Sequence, residues 1–265
     1  MNLFEAFLLG VVQGLTEFLP VSSSGHLEIG SVLLGVSTTE NLLFAVVVHA
    51  ATAMSTIIVF RKDILTILSD LFAFKWNEST KFAAKILLSM IPVGVIGVLF
   101  ESQIESFFTG NLLLVGAMLL LTAALLLFSH YAARQNGEVT FVKAILIGFA
   151  QAFAILPGIS RSGATISTAL LLGVERSKAA KFSFLMVLIP ILGASFLKFM
   201  DYLDAEVATD SLSNSVLLMG FTAAFLSGLV ACQWMIKLVR NGKLSFFAYY
   251  CAFVGIVAIV STLVV

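Results

Sequence analysis

The sequence predicts an all-α polytopic membrane protein built as an inverted repeat, each half a broken re-entrant helical hairpin followed by three transmembrane helices. Three observations predict it. The 265 residues are 60% hydrophobic and 11% charged, with a mean hydropathy of +1.07, whereas a soluble domain carries roughly 25% charged residues. Six stretches are long and apolar enough to cross a bilayer. Two further hydrophobic regions are interrupted by polar, proline- and glycine-containing segments that recur 138 residues apart.

The charge shortfall excludes a soluble enzyme, a nucleic-acid binder and a disordered chain together. Twenty-four Phe against fifteen Lys and Arg say the same. Formal net charge is zero, so only local charge placement is informative. Cys232 and Cys251 lie inside apolar stretches and read as small packing residues rather than a disulfide or metal pair. The N-terminus, Met-Asn-Leu-Phe-Glu, lacks a basic segment, which argues against a cleaved signal peptide.

A helix needs about 20 apolar residues to span hydrocarbon. In chain order, region 3–36 breaks at Glu17-Phe-Leu-Pro-Val-Ser-Ser-Ser-Gly-His26, and 41–60 follows as the first span. Segment 63–74 is too short and polar to cross, and is expected along the interface with Trp76 as an anchor. Spans 82–100 and 111–131 complete the first half. Region 141–174 then breaks at Leu156-Pro-Gly-Ile-Ser-Arg-Ser-Gly163, and spans 182–200, 215–239 and 245–265 follow. Broken helices at membrane depth are tolerated where they are buried in protein or line a watery cavity.

The two broken regions align without a gap. Gly10/Gly148, Gln13/Gln151, Ser22/Ser160, Ser24/Ser162, Gly25/Gly163 and Leu33-Leu-Gly-Val36/Leu171-Leu-Gly-Val174 give nine identities over 27 positions. A single membrane domain, 1–265, therefore divides into halves of about 1–138 and 139–265. Three full crossings is an odd number, so the second half enters from the opposite side. Loop charges test this independently. Arg61, Lys62, Lys75, Lys81, Arg134, Lys143, Arg176, Lys178, Lys181, Arg240 and Lys243 fall in loops of one parity. Those of the other, 101–110 and 201–214, hold Glu101, Glu105, Asp201, Asp204, Glu206 and Asp210 and no Lys or Arg. The positive-inside rule makes the first set cytoplasmic, with both termini and the first hairpin facing outward.

Ionisable residues at membrane depth are functional candidates: Glu17, His26, Arg161 and, more weakly, Glu28. Gln13 and Glu17, four apart, share a helical face. Pro20 should end the first half-helix at Leu19, and Ser22, Ser23 and Ser24 supply hydroxyls at the next N-cap, an anion-binding position. In the second hairpin Pro157-Gly158 breaks the chain, Ser160 and Ser162 flank Arg161, and Thr165 follows one turn on. A guanidinium beside hydroxyls and a helix N-terminus is a phosphate clamp. If both breaks meet at the midplane, Glu17, Ser23 and His26 face Arg161: acid/base groups, a nucleophile and an anion stabiliser, the parts for phosphoryl transfer. Ser22, Ser24, Ser160, Ser162, Thr165 and Gln13 are the expected substrate contacts. His49 and His130 read as packing or interfacial residues, Lys85 and Lys198 as snorkelling, and Glu5 as interfacial.

Gln13-Gly-Leu-Thr-Glu-Phe-Leu-Pro-Val-Ser-Ser-Ser-Gly-His26 and Pro157-Gly-Ile-Ser-Arg-Ser-Gly-Ala-Thr165 resemble the two signature motifs of the bacterial undecaprenyl-diphosphate phosphatases, the bacitracin-resistance proteins, over essentially the full chain. The resemblance implies a multi-pass inner-membrane hydrolase that converts undecaprenyl diphosphate to undecaprenyl phosphate and inorganic phosphate. It would recycle the lipid carrier of peptidoglycan synthesis and confer bacitracin resistance. The family's functional residues fall on Gln13 with Glu17, Ser23, His26 and Arg161. The resemblance also implies a divalent cation, Mg²⁺ or Ca²⁺, with Glu17 a candidate ligand. Gln13 stands where some members carry Glu, and an amide is a weaker ligand and no base. The implied partners are the lipid diphosphate and the bilayer, with no nucleic acid; the homo-oligomeric state stays open. Nucleophilic attack by Ser23, by His26 or by a water also stays open, as does the identity of the base.

Two rivals follow. Phosphatidic-acid-type phosphatases also use Ser-Gly-His and Ser-Arg motifs, but need a His six residues after the Arg and an Asp four further on, where this chain has Ser167 and Leu171. A polyprenyl-phosphate flippase or transporter would share the inverted repeat and the anion site, without needing a nucleophile beside an acid/base group.

Overall fold

The computed structural model describes residues 1–36, 42–100, 103–104, 106–107, 111–132, 136–204 and 212–264. Glu101, Glu105, Arg134, Glu206 and Asp210 lie outside the described residues, as do the side chains of Lys198, Asp201 and Asp204. Among the described residues the chain forms twelve helices. They are α1 (Leu3–Thr16), α2 (Ser23–Leu34), α3 (Leu42–Val59), α4 (Arg61–Phe72), α5 (Glu78–Leu99), α6 (Leu112–His130), α7 (Phe141–Phe153), α8 (Arg161–Leu171), α9 (Arg176–Met186), α10 (Leu188–Asp204), α11 (Asn214–Arg240) and α12 (Ser245–Val264).

Each predicted span has its helix. Five are long and apolar enough to cross alone: Glu78–Leu99, Leu112–His130, Arg176–Leu197, Asn214–Arg240 and Ser245–Thr262. The sixth, α3, turns by 78° into α4. That bend separates the apolar span from the polar segment expected at the interface, and α4 buries no residue. Helix ends run past the hydropathy boundaries. Arg176, Lys178 and Lys181, expected in a loop, form the first turns of α9, because hydropathy marks the lipid-crossing part of a helix, not its hydrogen-bonded length.

The hairpins are re-entrant. Gly137 N–H donates to the Gly173 carbonyl at 2.9 Å, and Glu175 N–H to the Gly137 carbonyl at 2.9 Å, so α7 starts and α8 finishes at the same end of the molecule. The positive segments gather there: Lys178 pairs with Glu138 and Glu175, Lys181 with Asp63, and Arg176 lies against Gly242. At the start of the first hairpin Asn2 caps α1, and Glu5 bonds back to Asn2 N–H at 2.8 Å, a capping role for the Glu5 read as merely interfacial.

Packing follows the repeat. Helix α1 packs on α11 and, in the mirrored half, α7 packs on α5; α3 meets α10, and α6 meets α12. The first two contacts are tight at equivalent glycines. A Cβ on Gly10 would lie 2.6 Å from the Gly220 carbonyl oxygen, and one on Gly148 2.3 Å from that of Ser89, so any larger residue would push the helices apart. The buried core draws Phe18, Val21, Val115 and Leu119 from one half and Ile166, Phe184, Met235 and Cys251 from the other. Neither half encloses it alone.

Candidate active site

The two breaks meet inside this core. Helix α1 ends at Thr16, three residues before the end expected at Leu19; a turn follows, in which Leu19 N–H still reaches the Leu15 carbonyl at 3.4 Å, and Pro20 has no N–H with which to go further. Ser22 is the N-cap of α2, its Oγ accepting from Gly25 N–H at 3.2 Å. Ser160 caps α8 in the same way, accepting from Gly163 N–H at 3.0 Å. Gly158 (φ +94°) needs both its conformation and its bareness: a Cβ there would lie 2.5 Å from the Val115 carbonyl oxygen. Gly25 and Gly158 face each other, 3.2 Å separating the would-be Cβ of one from the Cα of the other. Ser162 Oγ donates to the Leu19 carbonyl at 3.1 Å, stitching one hairpin to the other.

At this junction sits the buried carboxylate of Glu17. Gln13 Nε2 donates to its Oε2 at 2.8 Å, and Ser23 Oγ donates to the same oxygen at 2.7 Å. Arg161 Nη2, from the opposite repeat half, donates to Oε1. Buried carboxylates need such pairing, and these three partners are residues singled out from sequence. A fourth is not. His49 Nε2 stands 3.8 Å from Glu17 Oε2, while its Nδ1 donates to the Ala45 carbonyl at 2.7 Å. The expectation that His49 is a packing residue is corrected: α3 turns it into the site. Its signal was legible in Thr52, Ser55 and Thr56, which continue a polar face down the same apolar span, all three buried.

His26 points elsewhere. Its Nδ1 donates to the Ser22 carbonyl at 2.8 Å, and its Nε2 meets the Tyr250 hydroxyl at 2.9 Å. Tyr250, from α12, carried no signal: beside Tyr249 at a span's start it reads as part of an interfacial aromatic belt. Of the hydroxyls expected to touch substrate, Ser160 and Ser162 share a bond at 3.2 Å. Thr165 Oγ1 bonds to the Arg161 carbonyl at 2.9 Å and to Ser183 Oγ at 2.5 Å. Ser22 and Ser24 stand 3.4 Å apart. These side chains brace the two loops around Glu17, Ser23 and Arg161. Glu28 is buried on α2. His130 is exposed at the end of α6 against Tyr131, as expected, and both cysteines are free and buried.

Among the described residues no three of His, Cys, Asp and Glu gather as a ready-made metal cage. The hard oxygens at the junction are the Glu17 carboxylate and the amide oxygen of Gln13, whose Nε2 is on Glu17 and whose Oε1 is buried without a hydrogen-bond partner. Mg²⁺ is commonly held by one or two carboxylates completed by waters and substrate phosphates, and this pair fits that mode.

The model of the family described as Bacitracin resistance protein BacA matches residues 6–257. The chain is 54% identical to the undecaprenyl-diphosphatase of Christiangramia forsetii over 98% of each chain. It is 53% identical to that of Bacteroides fragilis, again over 98% of each, and 40% identical to that of Salinibacter ruber, over 96% of this chain and 97% of the relative.

Proposed function

The chain belongs to the bacitracin resistance protein family, and we propose that Glu17, Ser23 and Arg161 carry out its reaction, with His26 holding the loop that presents Ser23. The protein is a multi-pass enzyme of the bacterial inner membrane that hydrolyses undecaprenyl diphosphate to undecaprenyl phosphate and inorganic phosphate. One observation carries the assignment of roles: a single buried carboxylate accepts the Ser23 hydroxyl at 2.7 Å and, on its other oxygen, the Arg161 guanidinium.

Arg161 spends Nη2 on Glu17, leaving its remaining N–H groups for the diphosphate. The N-termini of α2 and α8, which begin at Ser23 and Arg161, add their positive dipole ends. Ser23 Oγ attacks the terminal phosphorus as its proton passes to Glu17 Oε2. The Oγ–P bond forms, the bond to the bridging oxygen breaks, and undecaprenyl phosphate leaves with the electron pair, needing no proton. Water then attacks the phosphoserine. The proton on Glu17 returns to Oγ as the Oγ–P bond breaks; one proton of the water stays on inorganic phosphate and the other is released.

A divalent cation at Glu17 and Gln13 Oε1 would neutralise charge on the diphosphate. The positive-inside pattern supports an opening of the first hairpin toward the periplasmic or extracellular face. A carrier would need Arg161 and the helix ends, but not a serine hydroxyl seated on a carboxylate; that feature favours hydrolysis. The test is phosphate release from undecaprenyl diphosphate by purified protein in detergent, with and without Mg²⁺, beside Arg161→Ala. Release should require both the cation and Arg161. A folded wild type that binds the lipid without releasing phosphate would turn the reading to a carrier.

A further inference from the structure

Tyr250 lies in the last helix, in the repeat half that does not contain Ser23, yet its hydroxyl is 2.9 Å from His26 Nε2. The two rings are stacked, with centroids 5.6 Å apart and planes inclined by 14°. The proton positions on this pair follow from the other nitrogen. His26 Nδ1 meets the Ser22 carbonyl at 2.8 Å, and a carbonyl only accepts, so Nδ1 carries the proton. In the neutral ring Nε2 is then the acceptor, and Tyr250 is its donor. Both ring nitrogens are spent on protein partners.

The Ser22 carbonyl that anchors the ring also accepts the His26 backbone N–H at 3.1 Å, and Ser22 itself has φ +70°, a region that non-glycine residues occupy at a cost and that surrounding structure must hold. The conformation of Ser22 sets where the next residue points, and the next residue is Ser23, with Oγ on Glu17. A second contact from the same helix supports the same loop: Cys251 Sγ donates to the Pro20 carbonyl at 3.4 Å. The second hairpin receives the equivalent service from the last helix of the other half, where Thr122 Oγ1 accepts from Ser160 N–H at 2.9 Å.

We infer that Tyr250 is a positioning residue for hydrolysis: acting through His26, it holds the strained Ser22 so that the Ser23 hydroxyl stays on Glu17. The inference rests on the site reading above. It follows that His26 Nε2 is covered by the Tyr250 proton and acts neither as nucleophile nor as base in this arrangement.

The experiment is a double-mutant cycle on phosphate release from undecaprenyl diphosphate in detergent. Tyr250→Phe keeps the stacked ring and removes one hydroxyl; kcat should fall roughly three- to tenfold with KM within about twofold. His26→Asn keeps an N–H near the Nδ1 position and removes Nε2. In that background Tyr250→Phe should change kcat by less than about twofold, because the coupled partner is gone. Wild-type kcat in Tyr250→Phe, or an equal fall in both backgrounds, overturns the inference. ¹⁵N-histidine spectra of the wild type test it without any variant: the neutral Nδ1–H tautomer of His26 supports it, and the Nε2–H tautomer overturns it. Ser23→Ala, assayed in the same series, reports separately on the nucleophile, since the coupling between Tyr250 and His26 is read on kcat whichever group attacks.

Discussion

The first re-entrant hairpin, 3–34, and the second, 141–171, share a scaffold and differ in what they carry. Ser22 and Ser160 cap equivalent helices through equivalent glycines, and Gln13 and Gln151 are both buried on the preceding helix. Under the offset of 138, however, Glu17 faces Ile155, Ser23 faces Arg161 and His26 faces Ala164. Gln13 Nε2 bonds to Glu17 at 2.8 Å, whereas Gln151 Nε2 reaches only Met90 Sδ at 3.8 Å; the Oε1 of each is unpartnered. The repeat thus keeps what makes a helix break survive in a membrane and divides the chemistry: the carboxylate on one hairpin, the permanent cation on the other. Since Ser23 and Arg161 occupy equivalent positions, the pseudo-symmetry itself brings both to a single carboxylate.

Variants at paired positions sharpen that difference, the largest expected at the position carrying the reactive hydroxyl. Ser23→Ala should lower turnover on the order of 10³-fold or more, read as phosphate release; full turnover would remove the nucleophile role and leave the fold and family untouched. Next is His49→Ala, for which we expect roughly a tenfold loss of kcat/KM, as a partner of the buried Glu17 is removed; its counterpart in register, Val187, lies at no such carboxylate. The glutamines give the cleanest contrast. Gln13→Leu deprives Glu17 of a hydrogen bond and should cost about three- to tenfold in kcat. Gln151→Leu should leave kcat within about twofold and hold or raise the thermal midpoint in detergent, because it deletes a buried unpartnered amide oxygen. Equal losses at both would mean that the two hairpins are functionally alike. The smallest effect is the shared one: Ser22→Ala and Ser160→Ala should each cost about 1 kcal/mol of stability as lost N-caps, measured by thermal unfolding.

Much of this was legible in the chain. The breaks at Pro20 and Pro157-Gly158, the caps at Ser22 and Ser160, and the meeting of Glu17, Ser23 and Arg161 follow from local stereochemistry and from the cost of ionisable groups in hydrocarbon. Other features were not. The hydroxyls of Ser160, Ser162 and Thr165 look alike in sequence whether they serve a phosphate or a neighbouring carbonyl, and the structure gives them protein partners. Tyr250 sits beside Tyr249 at the start of an apolar span, and the polar face that His49 shares with Thr52, Ser55 and Thr56 does not name the side chain it will meet. Which face of a span turns inward depends on helices far away in the chain: α3 against α1 and α11, α12 against α6.

The sequence by itself determined the membrane class, the inverted halves and the residues able to bind and cleave a diphosphate, because hydropathy, proline, capping and charge act over a few residues or over whole loops. Only the tertiary structure decided that Glu17 takes Ser23 and Arg161 on its two oxygens, that His49 stands beside it, and that His26 is turned to Tyr250. In lipid the hydrophobic effect does not choose between helix faces, so close packing at small residues and buried hydrogen bonds does.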